Sequence, residues 1–318
     1  MPNGANEERY RVLLTNLAEG RVVPFLGAGV NLCSRLQDAG YIHGQNLPNG
    51  QELAGLLAQR FGYPGPNADD LLKVAQYVEV DQGRDPLNLK LREVFHANYP
   101  PTAVHHFLAS LPGRLRDKGY AEGASQVVVT TNYDDALERA FASAKEPYDL
   151  VTYADGGRFW HTPSGGPPRL VERPNEYKDL RVSERSVIVK IHGTVSREDP
   201  DRDNYVITED DYIDYSTRAD LSSLLPVELV ARLKRSHFLF LGYSLRDWNL
   251  RILFHRIWEE QARKRKSWRS WAVQRPVSEL DQKFWATRGV SVMDIDLAQC
   301  VERLEQACQA LPERVAAP

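Results

Sequence analysis

A chain of 318 residues with 42% hydrophobic and 26% charged content can bury a sizeable core. Its net charge of −3 excludes bulk attraction to nucleic acid or to an anionic membrane surface, and no apolar run is long enough to span a bilayer. The three cysteines, Cys33, Cys300 and Cys308, form no C-x-x-C pair and offer no disulfide framework. That usage fits a reducing, cytoplasmic setting, and the polar, acidic start M-P-N-G-A-N-E-E-R-Y is not expected to be a signal peptide.

Taken in chain order, Tyr10, Leu13, Leu14 and Leu17 stand at helical spacing between Arg9 and Glu19. After Gly20, R-V-V-P-F-L reads as an apolar strand that ends in Gly27-Ala28-Gly29. From about residue 31 to 118 the pattern changes to amphipathic helices joined by Gly- and Pro-bearing turns. L-P-N-G-Q-E-L-A-G-L-L-A-Q-R-F, D-D-L-L-K-V-A-Q-Y-V, L-N-L-K-L-R-E-V-F and P-T-A-V-H-H-F-L-A-S-L carry it. S-Q-V-V-V-T-T is the next strand, followed by a helix for which Asp134 and Asp135 suit the cap or first turn. Residues 151–185, rich in Gly, Pro and charge, read as an irregular insertion. S-V-I-V-K-I-H-G-T-V is a further buried strand, and Thr208 and Asp211 have capping-box spacing. H-F-L-F-L-G-Y-S-L-R-D-W is a strand, a glycine turn and the start of a helix that runs to about Lys266. W-R-S-W-A-V and G-V-S-V-M-D-I-D read as two last strands, and L-A-Q-C-V-E-R-L-E-Q-A-C as a closing helix.

Apolar strands alternating with helices predict an α/β fold: a Rossmann-like, mainly parallel sheet with helices on both faces and a helical insertion subdomain at 31–118. Residues 1–318 are expected to form a single domain around it. Four strand ends carry unusual residues, namely Gly27-Ala28-Gly29, Thr131-Asn132-Tyr133-Asp134, His192-Gly193-Thr194 and Gly242-Tyr243-Ser244. A parallel sheet gathers such ends along one edge, where nucleotides bind. The G-A-G turn suits a tight structural turn as well as a backbone that approaches a pyrophosphate and points N–H groups at it, and Leu32 replaces the third Gly of a dinucleotide fingerprint. The amide of Asn132 offers donor and acceptor to a ribose or a water. His192 also suits a satisfied structural histidine, and Lys190, two residues earlier, is expected on the same side of the strand. Ser244 also suits a helix cap. The segment A-R-K-R-K-S-W-R-S-W from Ala262 closes a helix with cations favoured by the helix dipole, so no direct nucleic-acid binding is expected.

The joint order of Pro24–Val30, Thr130–Asp134, Lys190–Gly193, Ile207–Tyr212 and Phe240–Asp247 resembles the sirtuin family. More closely, it is similar to the sirtuin-like NAD hydrolases of bacterial antiphage defence. The resemblance implies that Asn132 positions the nicotinamide ribose and a nucleophile, and that His192 is the base. It implies that Gly27, Ala28 and Gly29 face the phosphates and that Gly242 and Ser244 face the ribose side. Val30, Thr131, Asp134, Gly193 and Leu245 complete the expected NAD-binding set, and no motif assigns the adenine end. Two family features of the protein deacylases are missing: the paired C-x-x-C zinc motifs after the His, and a G-I-P-D-F-R segment. The structural zinc module needs about four ligands, so no metal is expected. Asn31 stands where the family usually carries Ser.

The function implied is hydrolysis of NAD to nicotinamide and ADP-ribose, in defence by NAD depletion. The alternatives are a non-catalytic sensor of NAD or ADP-ribose, and an NAD-dependent protein deacylase. Once the motifs and the closing helix are assigned, no stretch remains for a sensor domain. The resemblance to defence systems implies restraint by homo-oligomerisation and by a separately encoded partner, a HerA-type ATPase or an argonaute-like protein.

Overall fold

The computed structural model describes residues 3–33, 35, 39–217, 225–243 and 270–314. Runs of Val, Ile, Leu and Phe form β1 (Val22–Leu26), β2 (Val127–Thr130), β3 (Tyr148–Tyr153), β6 (Ser186–Lys190) and β9 (His237–Leu241). With β10 (Ser270–Val273) and β11 (Val290–Met293) they are mutually parallel. Two antiparallel strands, β4 (Phe159–Thr162) and β5 (Arg169–Val171), extend one edge. The nine-stranded order is β11-β10-β9-β1-β2-β6-β3-β4-β5. The mainly parallel α/β sheet matches the sequence expectation. The stretch 151–185 does not: it contributes the end of β3 and both antiparallel strands rather than an irregular insertion.

Side chains alternate between two cores, as the strand period of two requires. Val23, Phe25, Val127, Val129, Val187, Val189, Phe238 and Phe240 face one. That core is closed by α7 (Glu209–Thr217), α8 (Val227–Leu233) and α9 (Glu279–Ala286), which supplies Trp285. Val22, Leu26, Val128, Ile188, Leu239 and Leu241 face the other. It is covered by α1 (Asn3–Ala18), α5 (Ala103–Asp117), α6 (Ala136–Ser143) and α10 (Leu297–Ala310). Buried on both faces, these strands carry no polar alternation.

The helices α2 (Gly50–Phe61), α3 (Leu71–Gln82) and α4 (Arg84–Phe95) form a third core of their own. α2 begins at a capping box in which Asn49 and Glu52 each receive the other's amide at 2.9 Å, and it ends at Gly62, φ 67°. α5, although within the 31–118 stretch, packs on the sheet instead. The helical layer rests directly on the chain that follows β2 and β6, because Tyr133, Val195, Tyr205 and Ile207 complete its core. A short ribbon of β7 (Gly193–Thr194) and β8 (Asn204–Tyr205) forms the seam.

The chain runs from β1 to one side of the sheet and from β9 to the other, so the switch point lies between these two neighbours. Ser244, Leu245 and the basic stretch of residues 262–269 lie outside the described residues. Among the described residues no helix is long and apolar enough to cross a membrane.

Candidate active site

The sheet register brings the four strand ends into one row. Leu26 pairs with Leu241 on one side and Thr130 on the other, and Thr130 pairs with Lys190. Gly27 and Gly242 therefore emerge side by side at the switch point. Asn132 and His192 stand at matched positions, each two residues past the Thr130–Lys190 pair.

At the switch point the glycines mesh with each other. Gly27 N–H donates to Leu241 O at 3.0 Å and Gly29 N–H to Gly242 O at 2.8 Å. A Cβ on Gly27 or Gly29 would stand 2.6 Å from the carbonyl oxygen of Gly242. Gly242 has φ +62°, and its own Cβ would meet Val30 N at 2.2 Å. These glycines are demanded by the contact between two strand ends, and the two amides expected to face a pyrophosphate are already engaged. Ala28 is different: its N–H opens a short 3-10 helix (Ala28–Leu32) and has no acceptor among the described residues. Val30 is a core side chain, and its N–H bonds Gly27 O.

Past β2 the polar cluster is held from below. Thr130 Oγ1 donates to Leu26 O at 3.2 Å and accepts from Asn132 N at 3.0 Å, and Thr131 N donates to Leu26 O at 3.2 Å. The Asn132 amide is buried and reaches Gly27 O at 3.4 Å, which leaves its hydrogen-bonding capacity largely unspent. Asp134 Oδ1 accepts from Ala136 N at 3.0 Å, so it serves the first turn of α6 as expected. Its Oδ2 is buried with no hydrogen-bond partner. Asn31 Oδ1, on the first turn past β1, is likewise buried and unpartnered.

Asp135 occupies the N-cap position of α6, but its side chain makes no capping bond there. Its carboxylate lies between Arg139 (Nε, 3.1 Å) and Arg197 (Nε and Nη2, both 2.7 Å). Arg197 continues to the carbonyls of His96 and Ala97, and Arg139 to Asn98 Oδ1 and Tyr99 O. Desolvation raises the Asp135 pKa, but the two guanidinium groups outweigh it and leave it lowered. The helical layer is thereby latched to the chain after both β2 and β7.

His192 is buried, with its ring edge-on to Tyr212 (5.3 Å) and Tyr215 (5.9 Å) of α7 and Nδ1 3.4 Å from the Tyr212 hydroxyl. Burial lowers its pKa to about 3, opposed by the Asp211 carboxylate, so the imidazole is neutral at neutral pH. Asp211 accepts from Arg84 at 2.9 Å, Ile207 N at 2.9 Å and Thr208 N at 3.0 Å, which completes the foreseen capping box and aims Tyr212 at the histidine. Gly193, φ +88°, passes so close to β8 that a Cβ would lie 2.1 Å from Asn204 O. Its glycine serves the ribbon. Lys190 does not share the side of His192: it points to the opposite face, towards α6, because the strand period ends at Lys190 and the chain turns. Thr131 is half-buried at the mouth of the cluster, Met293 is core, and Asp296 caps α10 through Ala298 N at 2.8 Å.

The residues not anticipated as partners are Tyr212, Tyr215, Asp135, Arg139 and Arg197. Tyr212 lay inside a quoted motif. The Asp135 latch depends on pairings across 62 and about 40 residues of chain that no local pattern announces.

A second buried histidine adjoins the cluster. His105 accepts Thr102 N at Nδ1 (3.0 Å), and burial lowers its pKa to about 4 against the pull of Asp134. Both imidazoles bind a proton more weakly folded than unfolded, so stability is complete above about pH 6.5 and is lost as pH falls below it. Each withholds on the order of 3 kcal/mol by about pH 4. His105→Gln, which keeps an acceptor for Thr102, should flatten the fall in Tm between pH 7 and 4.5. An unchanged slope would remove His105 from that account.

A family profile described as a SIR2-like domain matches residues 126–293, more than half of the chain. Over 247 residues the chain is 27% identical to the NAD(+) hydrolase ThsA of Acinetobacter baumannii, covering 77% of this chain and 41% of that protein. It is 22% identical to defense-associated sirtuin 2 of Bacillus subtilis, covering 86% of this chain and 23% of that protein. It is 24% identical to ThsA of Cytobacillus dafuensis, covering 79% and 41%. The chain thus spans less than half the length of these relatives.

Proposed function

The chain belongs to the SIR2-like family, and from that premise we propose that it hydrolyses NAD at the nicotinamide–ribose bond. The observation that supports this reading is the row of strand ends: β2 and β6, paired up to Thr130 and Lys190, lead into Asn132 and a neutral His192, and the Asn132 amide reaches Gly27 O at the glycine switch point. Three open groups fit the dinucleotide. Ala28 N–H suits a phosphate oxygen, at a turn where Cβ atoms are excluded. Asn31 Oδ1 suits a hydroxyl donor, and Asp134 Oδ2 suits the N–H of a carboxamide.

In the reaction, the glycosidic C–N bond breaks and its electron pair leaves with nicotinamide. The pyridinium departs neutral, so it needs no acid. The ribosyl carbon gathers positive charge, and a water oxygen bonds to it. Asn132 orients the ribose and that water. His192 accepts the proton released, directly or through a ribose hydroxyl, and the products are nicotinamide, ADP-ribose and a proton. Because the ring is neutral down to about pH 3, turnover follows no histidine titration near pH 6.5.

Names of the relatives support an effector of antiphage defence, acting on the cytoplasmic NAD pool. Such an activity must be restrained, and homo-oligomerisation with a separately encoded defence partner would supply that control. The test is NAD consumption by the purified protein, with and without an acetyl-lysine peptide. Turnover independent of peptide is expected. Peptide-dependent turnover would assign deacylation, and tight binding of unaltered NAD, persisting beside the partner, would assign a sensor.

A further inference from the structure

We propose that Lys190 is a positioning residue for the Asn132–Asp134 segment, holding it from beneath through its main chain. This inference rests on the reading of Asn132 given above. Lys190 is wholly buried, at the last paired position of β6. Its ammonium donates to Tyr133 O at 3.1 Å, to Asp134 O, and to Glu138 Oε1 at 2.8 Å. An ammonium has three hydrogens, and all three are used.

The arrangement answers a problem set by the local backbone. Residues 131–134 leave the sheet before α6 begins, so their carbonyls lie outside both the ladder and the helix, whereas Asp135 O already accepts the first helical bond, from Arg139 N at 3.0 Å. Asp134 O has Lys190 as its donor among the described residues, while Tyr133 O accepts from Lys190 and also from Val195 N at 2.9 Å and Thr194 Oγ1 at 3.4 Å. These two carbonyls belong to Tyr133 and Asp134, the two residues that follow Asn132. Fixing them fixes the direction in which Asn132 and the unpartnered Asp134 Oδ2 point.

A charged residue is an unusual way to satisfy two carbonyls. A buried ammonium needs a counter-ion, and Glu138 on the first turn of α6 supplies it. Burial raises the Glu138 pKa, and the Lys190 charge opposes that shift. Two core charges cost desolvation that apolar side chains of similar size would not. A pair retained for stability alone is therefore replaceable, whereas a pair retained to orient Asn132 is not.

The experiment compares Lys190→Met, Glu138→Leu and the double variant. Each single substitution strands a buried charge and should lower Tm. The double variant removes both and should recover a large part of that loss. Its kcat should nevertheless be lower by roughly tenfold to hundredfold with KM changed less than about threefold, because a misplaced group raises the barrier more than it weakens binding. Amide hydrogen exchange gives a readout independent of turnover: residues 131–136 should exchange faster in the double variant while β2 and β6 stay protected. Exchange at 131–136 unchanged from the parent would overturn the proposal, as would a refolded double variant with parental kcat. A parent that consumes no NAD would sink the hydrolase reading alone, since the exchange comparison still decides the role of Lys190.

Discussion

Asn132→Ala is expected to lower NAD turnover by about 10²- to 10³-fold while the protein stays folded, and His192→Ala by about 10²- to 10⁴-fold. The stability expectation follows from how little Asn132 does structurally. Its amide makes one long contact, 3.4 Å to Gly27 O, and the segment around it is held by Thr130, Lys190 and Asp135. His192 loses a ring packed between Tyr212 and Tyr215, so its variant should be less stable by about 2 kcal/mol and is best assayed well below its Tm. Nicotinamide release by both folded variants at the parental rate would remove the pair from the reaction.

Gly242→Ala should be among the most damaging single-methyl changes at the described glycines, beside Gly193→Ala. The residue sits at φ +62°, where an alanine is strained, and the added carbon would lie 2.2 Å from a main-chain nitrogen that cannot swing aside. A loss of about 3 kcal/mol or more is expected, together with loss of NAD binding, because β1 and β9 must part at the proposed NAD site. Gly55→Ala is the control. It lies on an exposed stretch of α2 with nothing within 4 Å of the new carbon, and should stabilise by about 0.5–1 kcal/mol. Equal effects in the two variants, read by denaturant unfolding, would refute the packing account of the switch point.

Of the parallel strands, β1, β2, β6, β9, β10 and β11 were legible as mainly apolar runs stopped by a glycine or polar residues, whereas β3, Y-D-L-V-T-Y, carries Asp149 and Thr152 and was not. V-V-P-F-L before Gly27 and H-F-L-F-L before Gly242 need no long-range information. β4 and β5 were hidden for the opposite reason. F-W-H-T and R-L-V are short, lie among Gly and Pro, and owe their strand form to pairing with β3. α8 and α9 carry exposed Val227 and Leu280, which blur the helical stripe. At the site, Asn132 and His192 stood out because polar groups at a buried strand end require an explanation. Their supports did not, since the Lys190 and Asp135 contacts join segments 52 to 62 residues apart. The sidedness of Lys190 was misread because a period of two was carried past the last residue of the strand. For the glycines at the switch point the sequence leaves a structural turn and a ligand turn open, and the close approach of Gly27 and Gly29 to Gly242 is a long-range contact that no local pattern announces.

The most direct test of the central claim is hydrolysis of NAD in water enriched with oxygen-18, with products quantified for the parent and for Asn132→Ala. Nicotinamide and ADP-ribose should form in equal amounts, the ADP-ribose carrying one heavy oxygen, and the variant should form neither at a comparable rate. ADP-ribose without the label, or equal yields from parent and variant, would contradict hydrolysis at the Asn132–His192 cluster.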